Sequence, residues 1–393
     1  MALEFSTRKE TFPNYRVWET TLAGRPFVVE TGKMCGLSNG SCLVRYGETV
    51  VLCNVTMSEK PREGIDFFPL SVEFEEKLYA VGRIPGSFMR REGRPGEKAI
   101  LTSRVVDRPI RPLFPKEMRN DVCVTMTVMS VDQDCSPEIA GMIGTSIALS
   151  ISEIPWKGPI GGVFMGLVDG QLVVNPTLEQ RQNSDLQLTV AATMNKIVMI
   201  EAGANEVDEA TMLEAIKMAH GEIKKIIAFI NGIVAEIGKP KIDFVSMDLD
   251  YDLFTKIRAE YLDDFKAAMD TDDKNVRDAR LLPIQDKLEA EYPDLDDATV
   301  GLIMYKMQKY VVRRWLLDDG KRVDGRGINE IRPLAAEVGL LPRVHGSGMF
   351  TRGQTQVLTT CTLGNTKDSQ LMDDLGTEPY KRYIHHYNFP PYS

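Results

Sequence analysis

The amino-acid sequence predicts an α+β domain over residues 1–240, an all-helical domain over residues 241–320, and the beginning of a second α+β domain over residues 321–393. Three observations lead to this division. The first part consists mainly of short β-rich runs separated by turn residues. The middle part has apolar residues at helical spacing and no strand pattern. The last part repeats a stretch of the first part.

Strands of the first domain are predicted from β-branched runs that lie between turn signals. Ser41–Met57 contains two such runs with a turn near Gly47. Gly162–Asn175 is predicted as a hairpin, because Asp169-Gly170 supplies the positive φ angles of a two-residue turn. Leu186–Glu201 is expected to form two more strands.

Two helices complete the first domain. One is predicted over residues 137–154, and the other over residues 206–237, ending before Gly238. The apolar face of the earlier helix is expected to consist of Ile139, Met142, Ile143, Ile147 and Ile151. Strands covered by two helices make an α+β domain.

The all-helical domain is predicted as three amphipathic helices at about 249–270, 276–291 and 296–318. Residues 241–320 contain 12 Lys or Arg and 19 Asp or Glu. We interpret this acidity as the solvated face of the helices.

An internal repeat marks the third domain. Residues 40–56 and 346–362 share seven identical positions out of 17, at a constant offset of 306. We interpret residues 321–393 as the start of a second copy of the first domain, from which about 150 residues are missing. A half-built domain exposes sheet edges and an apolar face, so this part is expected to be poorly packed.

The chain shows no signal for a membrane or for secretion. It has no apolar run long enough to cross a bilayer, and its N-terminus has no basic stretch followed by an apolar one. Its six cysteines form no CxxC pair and lie mostly in apolar runs. We predict reduced, packed thiols of a cytoplasmic protein, rather than disulfides or zinc ligands.

A basic segment is the densest chemical feature of the sequence. Residues 83–116 contain nine Lys or Arg and three Asp or Glu, in a protein whose net charge is −9. Such a local excess of positive charge is what binding to a polyanion requires.

Within this segment, Arg90, Arg91 and Arg94 lie among glycines and beside Phe88. Guanidinium groups pair with phosphate oxygens, and an aromatic ring can stack on an unpaired base. Farther along, helical spacing is expected to bring a second set of arginines to one face, until Pro109 interrupts the helix. This set consists of Arg104, Arg108 and Arg111.

Two interpretations of the basic segment remain open. In the first, its arginines form a contact surface for single-stranded RNA or phosphate. In the second, they pair with Glu92, Glu97 and Asp107, or with the acidic helical domain.

The residue patterns predict neither a catalytic residue nor a metal ligand in residues 1–393. The sequence contains no Walker loop, no HExxH and no GxSxG, and no carboxylate pair is placed plausibly for acid–base work or metal binding. His385 and His386 would point to opposite faces of a strand. His345 is expected at a turn or cap, and His220 is expected to be a packed or surface residue of a long helix.

Several stretches resemble the bacterial polynucleotide phosphorylase family. Its first RNase PH-like core domain is similar to residues 67–115, FFPLSVEFEEKLYAVGRIPGSFMRREGRPGEKAILTSRVVDRPIRPLFP. The opening of its second core is similar to KRVDGRGINEIRPL (321–334), HGSGMFTRGQTQVLTTCTLG (345–364) and HHYNFPPYS (385–393). The resemblance implies an RNase PH-like core domain, an all-helical domain and an incomplete second RNase PH-like core domain.

The resemblance also implies an activity. The family forms a homotrimeric ring with a central channel and degrades single-stranded RNA processively from the 3′ end. It is a nucleotidyltransferase that uses inorganic phosphate as co-substrate and Mg²⁺ as cofactor, and it releases nucleoside 5′-diphosphates. Other proteins of RNA degradation, such as a helicase or an endonuclease, are potential partners.

The resemblance implies RNA contacts at Phe88, Met89, Arg90 and Arg91, where the family usually has two phenylalanines followed by two arginines. Met89 replaces the second phenylalanine. A thioether still packs on a base, but one stacking ring is lost, so a weaker grip on RNA is expected. Further positions implicated by the resemblance are Arg94, Arg104, Arg108 and Arg111.

The family's phosphate-binding serines and metal-binding aspartates belong to a later part of the second core, beyond residue 393. We therefore expect this chain to supply RNA-binding and trimer-forming parts and to be inactive alone. The alternative is a non-catalytic RNA-binding or ring-assembly module.

Overall fold

The computed structural model of the chain describes residues 11–62, 64–86, 88–246, 249–377 and 380–392. The chain divides into two compact units. The first unit is Met1–Met247 together with Gln370–Ser393, and the second is Asp248–Ser369. The predicted third domain, 321–393, is therefore shared between the two units.

The first unit begins with a six-stranded sheet. Its strands are β1 (Arg16–Leu22), β2 (Arg25–Thr31), β3 (Gly40–Tyr46), β4 (Thr49–Pro61), β5 (Leu70–Glu76) and β6 (Asn120–Ser130). Their order across the sheet is β1-β2-β3-β4-β6-β5. All neighbours are antiparallel except β5 and β6, which run parallel. The predicted turn near Gly47 joins β3 to β4, which confirms both strands.

A four-stranded antiparallel sheet forms the other β layer of this unit. Its strands are β7 (Gly161–Val168), β8 (Gln171–Val174), β9 (Leu186–Ala192) and β10 (Ile197–Ala204), in the order β10-β9-β7-β8. The predicted hairpin is confirmed. Asp169 and Gly170 join β7 to β8 with φ angles of 49° and 74°, as a two-residue hairpin turn requires.

Helices fill the space around the two sheets. They are α1 (Glu97–Ile110), α2 (Pro137–Ile151), α3 (Leu178–Gln182) and α4 (Glu209–Ile237). The helix α1 packs on β5 and β10, whereas α2 packs on β3, β4 and β7. Because both helices contact strands of the two sheets, they form the layer between the sheets, and α2 makes the larger share of these contacts.

The five predicted apolar residues of α2 are buried, but the rest of the helix, apart from Glu138, is buried as well. Small residues on its other side explain the difference. A Cβ atom added to Gly144 would lie 2.5 Å from Cys53 Sγ and 2.9 Å from a methyl group of Val44. The backbone of α2 therefore lies against the first sheet, where a larger side chain does not fit.

The second unit begins with three helices, α5 (Tyr251–Met269), α6 (Lys274–Glu291) and α7 (Asp297–Asp318). They share a core that includes Ile257, Tyr261, Phe265, Met307 and Val311. Part of the acidity has a structural role, because an aspartate caps the N-terminus of each helix. The capping residues are Asp250, Asp273 and Asp296.

The second unit also holds a three-stranded sheet, β11 (Leu334–Val338), β12 (Gly346–Arg352) and β13 (Thr355–Cys361). This sheet confirms the internal repeat. In the first copy Gly40 pairs with Val55, and in the second Gly346 pairs with Cys361. Both pairs are related by the same offset of 306 positions, so the repeated residues form the same hairpin in the same register.

The two copies of the hairpin differ in burial. Val51 in β4 is 0% exposed, and its counterpart Val357 in β13 is 38% exposed. Leu52 is 9% exposed, and Leu358 is 55% exposed. The first copy lies under α2, whereas every residue of β13 is exposed. The looser packing expected of the second copy is therefore present in its sheet.

A short hairpin of the first unit consists of β14 (Gln370–Leu371) and β15 (Tyr380–Lys381). Between these strands, Leu375 is 3% exposed and belongs to the core of the first unit. This part of the second copy is therefore packed on the first domain.

The six cysteines are free thiols. Cys42, Cys53 and Cys135 are buried, whereas Cys35 and Cys361 are exposed, so the prediction of packed thiols holds for part of the set. In the ranges that the structure describes, no helix is long and apolar enough to cross a membrane.

We predict that backbone amides of β12 and β13 exchange with solvent at least about 100-fold faster than those of β3 and β4, because solvent reaches uncovered strands more easily. Hydrogen–deuterium exchange of the whole chain measures both hairpins in one sample. Since their sequences and registers correspond, each copy is the control for the other. Equal protection would show that the exposed sheet is as stable as the covered one.

Candidate nucleic-acid interface

The basic segment forms a loop between a 3₁₀ helix, Leu78–Val81, and the helix α1. Gly82 ends the 3₁₀ helix with a φ of 69°. Glu92 holds the far part of the loop against this helix, since its Oε1 accepts a hydrogen bond of 3.0 Å from the Leu78 amide. Glu92 therefore binds the backbone here, whereas one interpretation of the sequence paired it with an arginine.

The tip of this loop presents two large side chains to solvent. Phe88 is 97% exposed and Met89 is 66% exposed. The next residue, Arg90, has a φ of 50°, in the left-handed region, and its Nη1 donates to the Pro85 carbonyl at 3.3 Å. Exposed apolar side chains beside arginines can stack on unpaired bases while the cations contact phosphates.

The helix α1 carries the second set of arginines. Its buried side includes Thr102, Val106 and Ile110, and Ser103 Oγ accepts a hydrogen bond from the Phe74 amide of β5 at 2.9 Å. Arg104 and Arg108 lie on the exposed side. The helix runs through Pro109 and ends at Ile110, so the predicted interruption lies in its last turn, where the carbonyl of residue 105 lacks an N–H donor from position 109.

Two arginines of this set bind other parts of the first unit. Arg108 forms an ion pair with Glu201. Arg111 binds both oxygens of Asp107, at 2.9 and 2.7 Å, and its terminal nitrogens donate to backbone carbonyls of residues 68 and 70. The ion-pair interpretation of the sequence is therefore confirmed for Arg111, whereas Arg108 pairs with Glu201, a partner that the sequence did not suggest.

The remaining arginines of the basic segment are exposed. Neither Arg94 nor Arg104 has a hydrogen bond or an ion pair in the described part of the chain. Arg90 and Arg91 are exposed at the loop tip. We define the arginine surface as Phe88, Met89, Arg90, Arg91, Arg94 and Arg104.

A cleft of about 1250 Å³ lies beside α1 in the first unit, and a charged cluster forms part of its wall. Lys98 Nζ lies 3.2 Å from Glu138 Oε1, and Ser136 Oγ donates to Glu138 Oε2 at 2.5 Å. The Ser-Pro-Glu start of α2 is a visible signal for a carboxylate at a helix N-terminus. Its pairing with Lys98 has no sequence signal, so the sequence analysis missed this cluster.

The cluster shifts the ionisation of its members. Burial raises the pKa of Glu138, but attraction to Lys98 and the hydrogen bond from Ser136 outweigh this effect, so the pKa of Glu138 lies below its usual value. Attraction to Glu138 raises the pKa of Lys98. Burial raises the pKa of nearby Glu76 to about 7, against the smaller opposite effect of Lys98. Glu76 therefore changes charge near neutral pH.

Three of the four histidines make local contacts. His345 Nδ1 accepts a hydrogen bond of 2.8 Å from the Leu363 amide, in agreement with the expected turn or cap role. His220 Nε2 lies 3.1 Å from the Thr193 carbonyl and connects α4 to the turn between β9 and β10. His385 lies against Tyr383, with 3.2 Å between Nδ1 and the phenol oxygen. Among the residues that the structure describes, no group of three or more His, Cys, Asp or Glu side chains could hold a metal ion.

Family models match most of the chain. The model of the 3′ exoribonuclease family, domain 1, matches residues 23–155 and again residues 330–393. The model of domain 2 of that family matches residues 158–222. The model of the polyribonucleotide nucleotidyltransferase RNA-binding domain matches residues 252–327, which include all but the first residue of the three helices of the second unit.

Curated relatives are close in sequence. The polyribonucleotide nucleotidyltransferase of Ruminiclostridium cellulolyticum is 56% identical over 383 residues, and that of Heliobacterium modesticaldum is 52% identical over 381 residues. Each alignment covers 96% of this chain and 54% of the relative. The chain therefore spans about half the length of the curated relatives that it matches.

The two-copy α+β fold and the matching models define the class of protein, because the 3′ exoribonuclease domain 1 model matches both copies. Within this class, the chain belongs to the polyribonucleotide nucleotidyltransferase family. The predicted RNase PH-like architecture and the predicted family are confirmed.

Glu76 is predicted to make stability depend on pH. Because its folded-state pKa is raised from 4.5 to about 7, its contribution to stability is present below pH 4.5 and is lost as the pH rises through 7. Glu76→Gln should therefore remove a decrease in unfolding free energy between about pH 5 and pH 8. Urea unfolding at several pH values measures this difference.

The control variant is Glu73→Gln, which changes an exposed carboxylate of the same strand. Its unfolding free energy should follow the wild-type pH dependence. Parallel curves for wild type and Glu76→Gln would contradict the prediction.

Proposed function

We propose that this chain is part of a cytoplasmic polyribonucleotide nucleotidyltransferase that degrades single-stranded RNA processively from the 3′ end. In such phosphorolysis, an oxygen of inorganic phosphate attacks the terminal phosphodiester, and the bond from phosphorus to the 3′ oxygen of the preceding nucleotide breaks. The products are a nucleoside 5′-diphosphate and an RNA shortened by one nucleotide. The family membership and the arginine surface support this proposal.

The arginine surface is the observation that carries the RNA-binding part of the proposal. Its exposed Phe88 would stack on a base, Met89 would pack against one, and its guanidinium groups would contact phosphates, without selecting a base sequence. Arg108 and Arg111 would act differently from the role implied by the resemblance. Because they bind Glu201 and Asp107, we propose that they fix α1 beneath the surface.

Mg²⁺ and inorganic phosphate belong to the activity proposed for the whole enzyme. The described residues do not fit a metal ion, since they contain no suitable cluster of acidic, histidine or cysteine side chains. We therefore assign no step through Mg²⁺ to this chain. Its own residues would bind RNA and hold the strand in place.

A homotrimeric ring is proposed as the working assembly, with the arginine surface turned towards RNA. A helicase or an endonuclease of RNA degradation would be an additional partner. Both proposals rest on family membership.

Replacing Arg90 and Arg91 together by alanine should weaken binding of fluorescein-labelled oligo(A) by about 10-fold at low salt, because two phosphate contacts are lost. The loss should become smaller as salt increases. Fluorescence anisotropy with the 393-residue chain measures both effects.

Lys217→Ala together with Lys224→Ala is the control pair, because both lysines are exposed on α4 outside the arginine surface and their replacement removes the same two positive charges. It should leave the affinity within about twofold of wild type. An unchanged affinity of the Arg90→Ala, Arg91→Ala variant at low salt would contradict the proposed surface.

Phosphorolysis is predicted to require more chain than these 393 residues. With phosphate, Mg²⁺ and poly(A), this chain should release no ADP above background. A protein of the length of the relatives should release ADP only when phosphate is present. Robust ADP release by the 393-residue chain would contradict the first expectation, and phosphate-independent release of AMP by the longer protein would contradict the second.

A further inference from the structure

We propose that Asp373, in the second copy of the repeat, is a positioning residue that fixes the base of the RNA-contact loop in the first copy. We define this loop by its described residues, 83–86 and 88–91. The inference rests on the proposed RNA-binding function of the arginine surface. This role of Asp373 does not follow from the membership of the family.

The contacts lie at one side of the loop. Asp373 Oδ2 accepts a hydrogen bond of 2.9 Å from the backbone amide of Gly86. The side chain of Arg83 donates to the backbone carbonyl of Asp374. Arg83 and Gly86 are thus both bonded to the segment that contains Asp373 and Asp374. Phe88 and the residues that follow it are not held by these two contacts.

Gly86 fits this contact because it has no side chain. A Cβ atom at this position would lie 2.9 Å from Asp373 Oδ2, closer than a carbon and an oxygen normally approach. A larger residue would push the carboxylate away from the amide. The close approach therefore depends on Gly86 as well as on Asp373.

The segment that carries Asp373 is itself anchored to the first unit. Leu375 is buried in the core, and its carbonyl accepts a hydrogen bond of 3.0 Å from Gln133 Nε2. Asp374 Oδ1 accepts a hydrogen bond of 2.8 Å from the Gly376 amide, which fixes the turn. Farther along, Lys381 pairs with Glu97 at the start of α1. The carboxylate of Asp373 is therefore presented from a fixed support.

A fixed base reduces the conformational freedom that the loop loses when it binds RNA. The tip keeps its exposed side chains, so the contact restrains the loop without covering the surface that RNA would touch. Asp373 acts through the backbone of Gly86 and is not itself expected to contact RNA.

The charge of Asp373 makes the proposal testable. A carboxylate beside an RNA-binding surface repels phosphates, so a purely electrostatic role predicts that any neutral replacement strengthens binding. A positioning role predicts that asparagine preserves binding, since its amide oxygen still accepts the Gly86 hydrogen bond. Alanine removes the acceptor and should weaken binding.

The experiment compares Asp373→Ala and Asp373→Asn in the 393-residue chain, with anisotropy of fluorescein-labelled oligo(A) as one readout and amide exchange of residues 83–91 as the other. Asp373→Ala should bind RNA about three- to 10-fold more weakly, the effect expected from one lost hydrogen bond to a charged group. Its Gly86 amide should exchange at least about 10-fold faster. Asp373→Asn should stay within about twofold of wild type in both readouts.

Asp121→Ala is the control for loss of one exposed carboxylate in the same unit, because its side chain binds Arg62 outside the loop. It should change neither readout. Thermal unfolding of each variant identifies any general loss of stability.

Gly86→Ala provides an independent variant. It should weaken RNA binding and speed exchange of the loop in the wild-type background, and it should add little in the Asp373→Ala background, because the same contact is already lost. Additive effects of the two substitutions would overturn the proposal.

Two further results would overturn the proposal. One is wild-type or tighter RNA binding by Asp373→Ala, and the other is unchanged exchange of its Gly86 amide. If the wild-type chain binds no RNA, the proposed function fails by itself. In that case the exchange data still test the contact. Faster loop exchange in Asp373→Ala, with wild-type exchange in Asp373→Asn, would support the positioning contact. Unchanged loop exchange in Asp373→Ala would reject it.

Discussion

Close packing of α2 between the two sheets of the first unit is the contact on which the surrounding structure depends. The backbone of α2 lies against β3 and β4 because Gly144 has no side chain that would meet Cys53. Cys42 Sγ lies 3.2 Å from the Gly144 carbonyl, and Ser146 Oγ accepts a hydrogen bond from the Ile160 amide at 2.9 Å. In an interior packed this densely, the position of each layer is fixed by the layer that it contacts.

The same layer places the charged groups at the surface. The first turn of α2 carries Glu138, which holds Lys98 of α1, and α1 is tied to β5 through Ser103. The loop that presents Phe88 leads into α1, so its position follows from this packing. Ion pairs of Arg108 and Arg111 stabilise the helix, whereas Arg94 and Arg104 are exposed. One basic segment thus contains both arginines that form ion pairs and arginines that are exposed.

Comparison of the two repeated hairpins separates local from distant effects. The β3–β4 and β12–β13 hairpins have the same register and the same turn, with φ angles of 56° at Gly47 and 59° at Gly353. Their burial differs because α2 covers the first hairpin. Strand pairing at short range is therefore independent of the helix, whereas the solvent exclusion that stabilises a core depends on it.

By itself, the sequence determined the elements that depend on neighbours along the chain. Alternation, turn residues and helical spacing predicted the β7–β8 hairpin, the long helix α4, the three acidic helices and the repeat, and the basic segment marked the candidate RNA surface. The tertiary structure decided which features are buried or paired. In the folded chain α2 is buried on all sides, and Arg108 forms an ion pair with Glu201. Glu138 forms an ion pair with Lys98, and Asp373 accepts a hydrogen bond from the Gly86 amide. These contacts join residues far apart in the chain, so no local spacing encodes them, and they form only when packing brings the segments together.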